Sequence, residues 1–306
     1  MTRRRRGAEK TLSVTVERAA ALIRAGKLVA FPTETVYGLG ANALDAAAVE
    51  RIFEAKRRPR SSPLIVHVAT VEMAREVAAE WPEAAEALAR RYWPGPLTFV
   101  LPKRAIVPDI VTAGLKTVGV RMPAHPVALE LIREAGVPIA APSANRFTEL
   151  SPTASAHVRE DLADAVLEGG AARVGIESTV LSLADGATLL RPGVIPLPDI
   201  EAVIGTVRVA TGTVEGPHAS PGMHERHYQP QTPLYLMKPG DLLPTGRGAL
   251  LRIGMEMPAG ALEYAAALYG TLHRLDREGY DWIAIEQPPE TAEWAGVLDR
   301  LKRATR

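Results

Sequence analysis

Lys56-Arg57-Arg58-Pro59-Arg60 puts four cations into five residues, and Ser61, Ser62 and an apolar stretch carrying His67 follow directly. Guanidinium forks beside a lysine point charge are well suited to phosphate. The same run also suits a solvated helix end, where cations complement the dipole, and charge alone leaves the two readings open. Four further polar clusters adjoin apolar runs. Pro32-Thr33-Glu34-Thr35-Val36-Tyr37-Gly38 brings two hydroxyls, a carboxylate and a phenol; Thr117 and Arg121 bracket a short apolar stretch. Pro142-Ser143-Ala144-Asn145, with Ser151-Pro152-Thr153 beyond it, offers hydroxyl and amide groups, and Glu177-Ser178-Thr179 is followed by Arg191-Pro192-Gly193. Singly, such Ser and Thr residues usually satisfy local backbone groups. Together, at the ends of strands where α/β proteins place ligands, they favour binding of a polyanion and a small polar molecule.

Other chemistries are excluded by what the chain lacks. Cysteine is absent, which removes disulfides, thiolate metal sites and a cysteine nucleophile. No Gly-x-x-x-x-Gly-Lys-Ser/Thr, His-Glu-x-x-His or Gly-x-Ser-x-Gly occurs, and Gly38-Leu39-Gly40 lacks the third glycine of a dinucleotide loop. His224 and His227 lie in a Pro- and Gly-rich segment without a further ligand cluster, so no metal held by protein ligands alone is expected. Trp93-Pro94-Gly95-Pro96 reads as a structural turn without chemistry.

The elements that must position these residues follow from periodicity in a chain of 306 residues, 47% hydrophobic and 23% charged. Helices are predicted over 15–26, with Thr15 as N-cap and Gly26 as stop, and from Asp45 to near Lys56; others are predicted over 71–79, 83–92, 126–135 and 153–162. Strands are predicted over 27–31, 64–68, 97–101, 118–122, 138–141, 178–183 and 188–191, with 32–42 as a loop. After a break rich in Gly and Pro come strands over 234–237, 249–253 and 282–285, helices near 261–267 and 271–278, and a closing helix over 292–304. This interleaving implies an α/β layer structure whose sheet is not all parallel. Net charge is 36 minus 35, or +1; without Arg3, Arg4, Arg5 and Arg6 it is 32 minus 35, or −3. That balance argues against a broad nucleic-acid-binding surface, and the Arg-rich start reads as a solvated tail, with an RNA-steering arm as the minority reading. No run is apolar enough to span a bilayer, so the expected location is cytoplasmic, away from membranes.

Read in order, residues 32–39, Lys56-Arg57-Arg58-Pro59, Pro63-Leu64, Trp93-Pro94-Gly95-Pro96, Arg121, Pro142-Ser143-Ala144-Asn145 and Arg191-Pro192-Gly193 resemble the YrdC-like domain of threonylcarbamoyl-AMP synthase. Residues 220–230 and the terminal Asp299-Arg300-Leu301-Lys302-Arg303-Ala304 resemble the linker and C-terminal domain of the two-domain form. The resemblance implies a YrdC-like twisted, open mixed sheet with helices over 12–210, a linker over 211–233 that can cover the site, and a smaller Rossmann-like α/β domain over 234–306. It implies an enzyme joining L-threonine, bicarbonate or CO2, and ATP, with Mg2+, into L-threonylcarbamoyladenylate. The product would go to the machinery that modifies position 37 of tRNAs reading ANN codons.

Carried over residue by residue, the resemblance gives ATP contacts to Lys56, Arg58, Ser62, Thr117, Ser143, Ser151 and Arg191, with Arg226, His227 and Tyr228 closing from the linker. Threonine would meet Thr35, His67, Arg121 and Ser178, and Asn145 would help set the phosphates or the metal; Lys56, Arg58, Ser143 and Asn145 would form the catalytic set. Two departures stand out. Ser62 replaces the asparagine usual before Pro63-Leu64, and Asn145 continues into Arg146-Phe147-Thr148-Glu149 rather than Ser-Gly. The rival from another class is a double-stranded RNA-binding module that uses the same basic face.

Overall fold

Most of the predicted helices form, and the short apolar runs become strands. The computed structural model describes residues 14–210, 227–238 and 240–305. The strands are β1 (Val29–Phe31), β2 (Gly38–Asn42), β3 (Ile65–His67), β4 (Leu97–Pro102), β5 (Thr117–Arg121), β6 (Ile139–Ala140), β7 (Ala165–Val166), β8 (Thr179–Ser182), β9 (Thr188–Arg191), β10 (Arg208–Val209), β11 (Leu234–Met237), β12 (Gly248–Leu251) and β13 (Trp282–Glu286). The helices are α1 (Val16–Arg24), α2 (Ala46–Lys56), α3 (Val71–Val77), α4 (Glu83–Tyr92), α5 (Pro126–Ala135), α6 (Leu197–Ile204), α7 (Ala261–Glu278) and α8 (Ala295–Ala304). Thr15 caps α1 by accepting from Arg18 N, and Asp45 caps α2 by accepting from Ala47 N and Ala48 N. Gly136 ends α5 in the left-handed conformation that glycine adopts without penalty.

The larger lobe is one ten-stranded mixed sheet in the order β10-β9-β8-β4-β5-β3-β6-β2-β1-β7. Parallel pairs (β3 with β5, β4 with β8) alternate with antiparallel ones (β4 with β5, β3 with β6). The smaller lobe is a three-stranded parallel sheet, β11-β13-β12, with α7 as the crossover from β12 to β13. Leu268, Tyr269, Leu272 and Leu301 of the smaller lobe share one buried cluster with Val36, Leu150 and Ile176 of the larger. The two lobes are therefore joined by a common apolar core.

Several expectations need correction. The 32–42 loop ends in a strand, β2, because its backbone pairs with β1 on one side and β6 on the other. Its glycines belong to that packing: a Cβ on Gly40 would stand 2.8 Å from the Phe31 ring and 2.9 Å from Ile139. The helix predicted over 153–162 reduces to a 3-10 turn at Ser155–His157, where the His157 ring turns back and its Nδ1 accepts from Thr153 N. The two helices predicted in the smaller lobe are one, α7. Gly270 lies within it where the Cβ position is 3.7 Å from Thr153 Oγ1 of the larger lobe. The closing helix begins as a 3-10 turn, Ala292–Trp294. The Arg-rich start and His224 lie outside the described residues.

The lobes meet closely at Gly296, where a Cβ would stand 2.4 Å from Gly193 O. Gly296→Ala should destabilise the chain by about 1–3 kcal/mol through overpacking, read as a lower urea midpoint. An unchanged midpoint would mean that the contact yields without cost.

Candidate functional site

The parallel register of β3 and β5 makes His67 and Arg121 direct partners at the C-terminal ends of their strands. Ser178 stands just before β8 and Arg191 ends β9, one further strand out. The loop after β1 brings Thr33 and Thr35, and the loop after β6 brings Ser143, which bridges to Gly38. These ends converge on one cavity whose wall includes Thr35, Arg58, His67, Arg121, Ser143, Ser178 and Arg191, together with His227 and Tyr228 from beyond the Gly- and Pro-rich break.

Arg121 is buried, and each of its nitrogens lies near a fixed oxygen. Its Nε donates to Gly95 O at 3.2 Å and its Nη1 to Thr35 Oγ1 at 3.0 Å, while Nη2 lies 2.7 Å from Glu34 Oε2. Thr35 Oγ1 in turn lies 2.9 Å from Thr33 Oγ1. Two groups not picked out from the sequence thus orient this guanidinium. Glu34 sits in the 32–38 run as its carboxylate; Gly95 belongs to the Trp93 turn read as structure only. Trp93 stacks on Phe99 at 4.7 Å and donates to Leu97 O, which holds Gly95 in place.

Of the four-cation run, Lys56 and Arg58 turn inward, while Arg60 is exposed and pairs with Glu50. Arg57 takes a left-handed conformation at the end of α2, reversing the chain so that Arg58 enters the cavity wall. Arg58 donates through Nη2 to Ser62 Oγ at 2.5 Å and to Pro63 O at 3.1 Å, and its guanidinium lies 5.7 Å from the Phe147 ring. Both departures from the family pattern therefore touch the same cation. Ser62 anchors it, and Phe147 offers it a ring face. Phe147 also packs edge-on to His227 at 5.6 Å, and Gln229 N donates to Thr148 O, so the 146–149 loop seats the segment that returns to the site.

Lys56, Ser62, Asn145 and Ser151 stand behind the cavity wall rather than on it. Lys56 Nζ donates to Ser143 O at 2.6 Å and to Asn145 O, clipping the 143–145 loop to α2. Asn145 donates to Arg146 O and Glu149 O, leaving its buried Oδ1 without a hydrogen-bond partner. Ser151 donates to Glu177 Oε1 at 2.6 Å. Thr117 lines an adjoining hollow that shares Leu64 and Ile65 with the main cavity. Arg226 lies outside the described residues.

Burial sets the charge states here. It pushes the Lys56 ammonium well below the usual lysine range, helped by repulsion from Arg58. Burial also brings Arg58 down to about 10, and it lowers His67 to about 3 with Arg121 adding to the effect, so His67 is neutral at physiological pH. The Tyr228 phenol is pushed up to about 12, by burial first and then by Glu177. Tyr228 holds a positive φ of 64°, an uncommon conformation for an aromatic residue. Arg191 donates to Ser178 O at 3.0 Å, and Ser178 Oγ lies 2.8 Å from Thr98 Oγ1. Three buried guanidiniums, on Arg58, Arg121 and Arg191, thus surround one cavity.

The family model described as Telomere recombination matches residues 21–193, and that described as Threonylcarbamoyl-AMP synthase, C-terminal domain, matches residues 195–305. The threonylcarbamoyl-AMP synthase of Pyrococcus abyssi is 44% identical, with 94% of this chain and 93% of that protein covered. The chain belongs to the threonylcarbamoyl-AMP synthase family. A threonylcarbamoyl-AMP synthase of Bacillus subtilis is 43% identical over 94% of this chain and 92% of its own. The crystal structure of P. abyssi Sua5 complexed with L-threonine superposes with a TM-score of 0.88 at 43% identity, covering 95% of this chain and 94% of that one. Like the synthases of this family, the chain is a nucleotidyltransferase-type enzyme, with the mixed α/β sheet and second lobe implied by its sequence.

Two outcomes test the charge arrangement. Glu34→Ala leaves Arg121 buried without its carboxylate and should cost about 3–5 kcal/mol in chemical denaturation; a loss under about 1 kcal/mol would show that the pair is not needed. Glu177 is the second case. Burial would raise its carboxyl, but Arg300 and then Arg191 outweigh that and hold it at about 2. Since the unfolded value is about 4.3, this stabilisation is complete above that pH and lost as pH falls through the folded value. Glu177→Gln should therefore flatten the acid limb of the stability curve below about pH 4; an unchanged limb would assign acid unfolding to other carboxylates.

Proposed function

We propose that this enzyme condenses L-threonine, bicarbonate or CO2, and ATP into L-threonylcarbamoyladenylate, with diphosphate and water as the other products. The observation that carries this reading is the enclosure of Arg58, Arg121 and Arg191 around a cavity walled by Thr35, Ser143 and Ser178. Their burial also speaks against the RNA-binding alternative, since buried cations are out of reach of a duplex backbone. P. abyssi Sua5, which shares most of this chain's length, was crystallised with L-threonine.

In this reading Arg121 takes the threonine carboxylate, for which an oriented guanidinium is the matching fork, with Thr35, neutral His67 and Ser178 around the rest of the amino acid. Arg58, Arg191 and Ser143 face the phosphates. The hollow lined by Thr117 receives the far end of the nucleotide. Lys56 acts from behind the wall, fixing the 143–145 loop and adding positive potential, and Ser62 and Ser151 hold Arg58 and Glu177 in place. His227 and Tyr228 cover the nucleotide, with Arg226 of the same segment. Mg2+ bound with ATP would supply charge neutralisation at the phosphates; Asn145, whose Oδ1 is buried without a hydrogen-bond partner behind the wall, would help set the phosphates or the metal.

Bicarbonate, taking up a proton, yields CO2 and water. The threonine amine adds to the CO2 and loses a proton that balances the one consumed, giving a carbamate, and a carbamate oxygen then attacks the α-phosphorus of ATP as diphosphate leaves in line. No side-chain nucleophile is required. The protein contributes orientation and fixed positive charge, the main resources of phosphoryl-type transfer. The product is the donor for threonylcarbamoyladenosine at position 37 of tRNAs reading ANN codons, handed on to the tRNA threonylcarbamoyl-transferase machinery.

Incubation with ATP, bicarbonate, Mg2+ and labelled threonine should give a labelled adenylate and diphosphate, and omission of bicarbonate should abolish both. Threonyl-adenylate in place of the carbamoyl product would refute the assignment. Arg121→Ala should raise the threonine KM by roughly ten- to a hundredfold, the loss of one charged hydrogen-bonded contact, with a smaller change in the KM for ATP. Equal changes in both would detach Arg121 from the amino acid.

A further inference from the structure

Arg300 lies on α8 in the smaller lobe, yet it is fully buried and points into the wall of the larger lobe's cavity. Its Nε lies 2.8 Å from Glu177 Oε2 and its Nη2 donates to Glu177 O at 3.0 Å. Nη1 donates to Pro192 O at 2.9 Å and to Asp299 Oδ2 at 2.8 Å. The guanidinium also lies 5.4 Å from the Tyr228 ring. One side chain thus touches the residue before Ser178, the residue after Arg191, and the tyrosine that returns to the site. Glu177 lines the cavity. Its two oxygens are held by Ser151 at 2.6 Å, by Tyr269 of the smaller lobe at 3.2 Å and by Arg300.

We propose that Arg300 is a positioning residue for the nucleotide: it neutralises and turns aside Glu177, the carboxylate on the cavity wall, and clamps the segments that carry Ser178 and Arg191. This rests on the reading of the cavity as a site for ATP. Stability alone is a poor account of the pair, because a buried ion pair seldom outperforms apolar residues of the same volume. Its electrical consequence is direct. A polyanion entering the cavity meets an unbalanced carboxylate at Glu177 unless a cation holds it, and in a low-dielectric wall such repulsion is felt over several ångströms. Arg191 acts on Glu177 from a greater remove, is engaged with the Ser178 carbonyl and faces the ligand, so the direct contact that compensates Glu177 falls to Arg300. The smaller lobe in this way contributes charge to a reaction whose other groups come from the larger lobe and the segment that joins them.

The test is calorimetric titration of ATP into the full chain as wild type, Arg300→Met, Glu177→Gln and the double variant, at pH 8 and pH 6, with circular dichroism to establish folding. Arg300→Met should weaken ATP binding about tenfold or more at pH 8 and less at pH 6, because Glu177, freed of its cation, takes up a proton more readily. The double variant should return to within about threefold of wild type, since neither charge is left unpaired. Glu177→Gln, in which Arg300 keeps Asp299, should bind ATP at least as tightly as wild type. Folded Arg300→Met with wild-type affinity, or a double variant no better than Arg300→Met, overturns the proposal. If Arg300→Met does not fold, weaker ATP binding by Glu177→Gln does so. A wild-type chain that binds no ATP removes the cavity reading instead. The positioning of Glu177 is then decided by its carboxyl 13C titration, expected near 2 in wild type and at or above the ordinary carboxylate value in Arg300→Met; equal midpoints overturn it.

Discussion

A buried charge must find a partner, and this molecule gathers several around one cavity. Arg58, Arg121, Arg191 and Arg300 are all buried, as are Glu34 and Glu177. The desolvation of any one of them would be prohibitive if it stood alone. Each is therefore tied to a fixed oxygen or guanidinium: Arg121 to Glu34 and Gly95, Arg58 to Ser62 and Pro63, Arg191 to Ser178, Arg300 to Glu177. Satisfying these groups dictates where the strand ends must stop and how the loops after β1 and β6 and the segment before β8 must turn. The mixed sheet supplies what that requires, because the parallel register of β3 and β5 brings His67 and Arg121 side by side.

The consequence for chemistry is that the cavity is polarised before any ligand arrives. Donors that are already oriented do not have to reorganise as charge develops on a phosphate, which is the main way a protein without a nucleophile speeds such a reaction. The same enclosure keeps His67 in its neutral form and lowers Arg58 and Lys56, so the field inside is set by burial as much as by the count of charges.

Much of this was legible in the sequence. The polar clusters at 32–38, 56–62, 142–145 and 177–178, with Arg121 and Arg191, do meet in space, because they sit at the ends of apolar strands that one sheet brings together. Capping residues such as Thr15, Asp45 and Gly136 marked helix ends for local reasons that survive in the fold. What could not be read is non-local. Glu34, within a recognised cluster, gave no sign that it pairs with Arg121, and Gly95 gave none that its carbonyl orients that guanidinium. Arg300 stood out only as part of the terminal run that resembles the family's C-terminal domain. β2 escaped notice because Gly38 and Gly40 weaken strand propensity, and partners on both sides override it. That Lys56 and Asn145 stand behind the wall, not on it, depends on side-chain directions that spacing does not encode.

The distance along the chain between Glu177 and Arg300, 123 residues, carries a consequence for biosynthesis. Domains tend to fold in the order in which they leave the ribosome. A nascent chain that has completed the larger lobe still holds Glu177 without its cation, and Tyr269 and Tyr228 are also later in the sequence. The cavity therefore reaches its final electrostatic state only when α8 has emerged and docked, so that half-made chains carry the sheet and its clusters but not a balanced pocket.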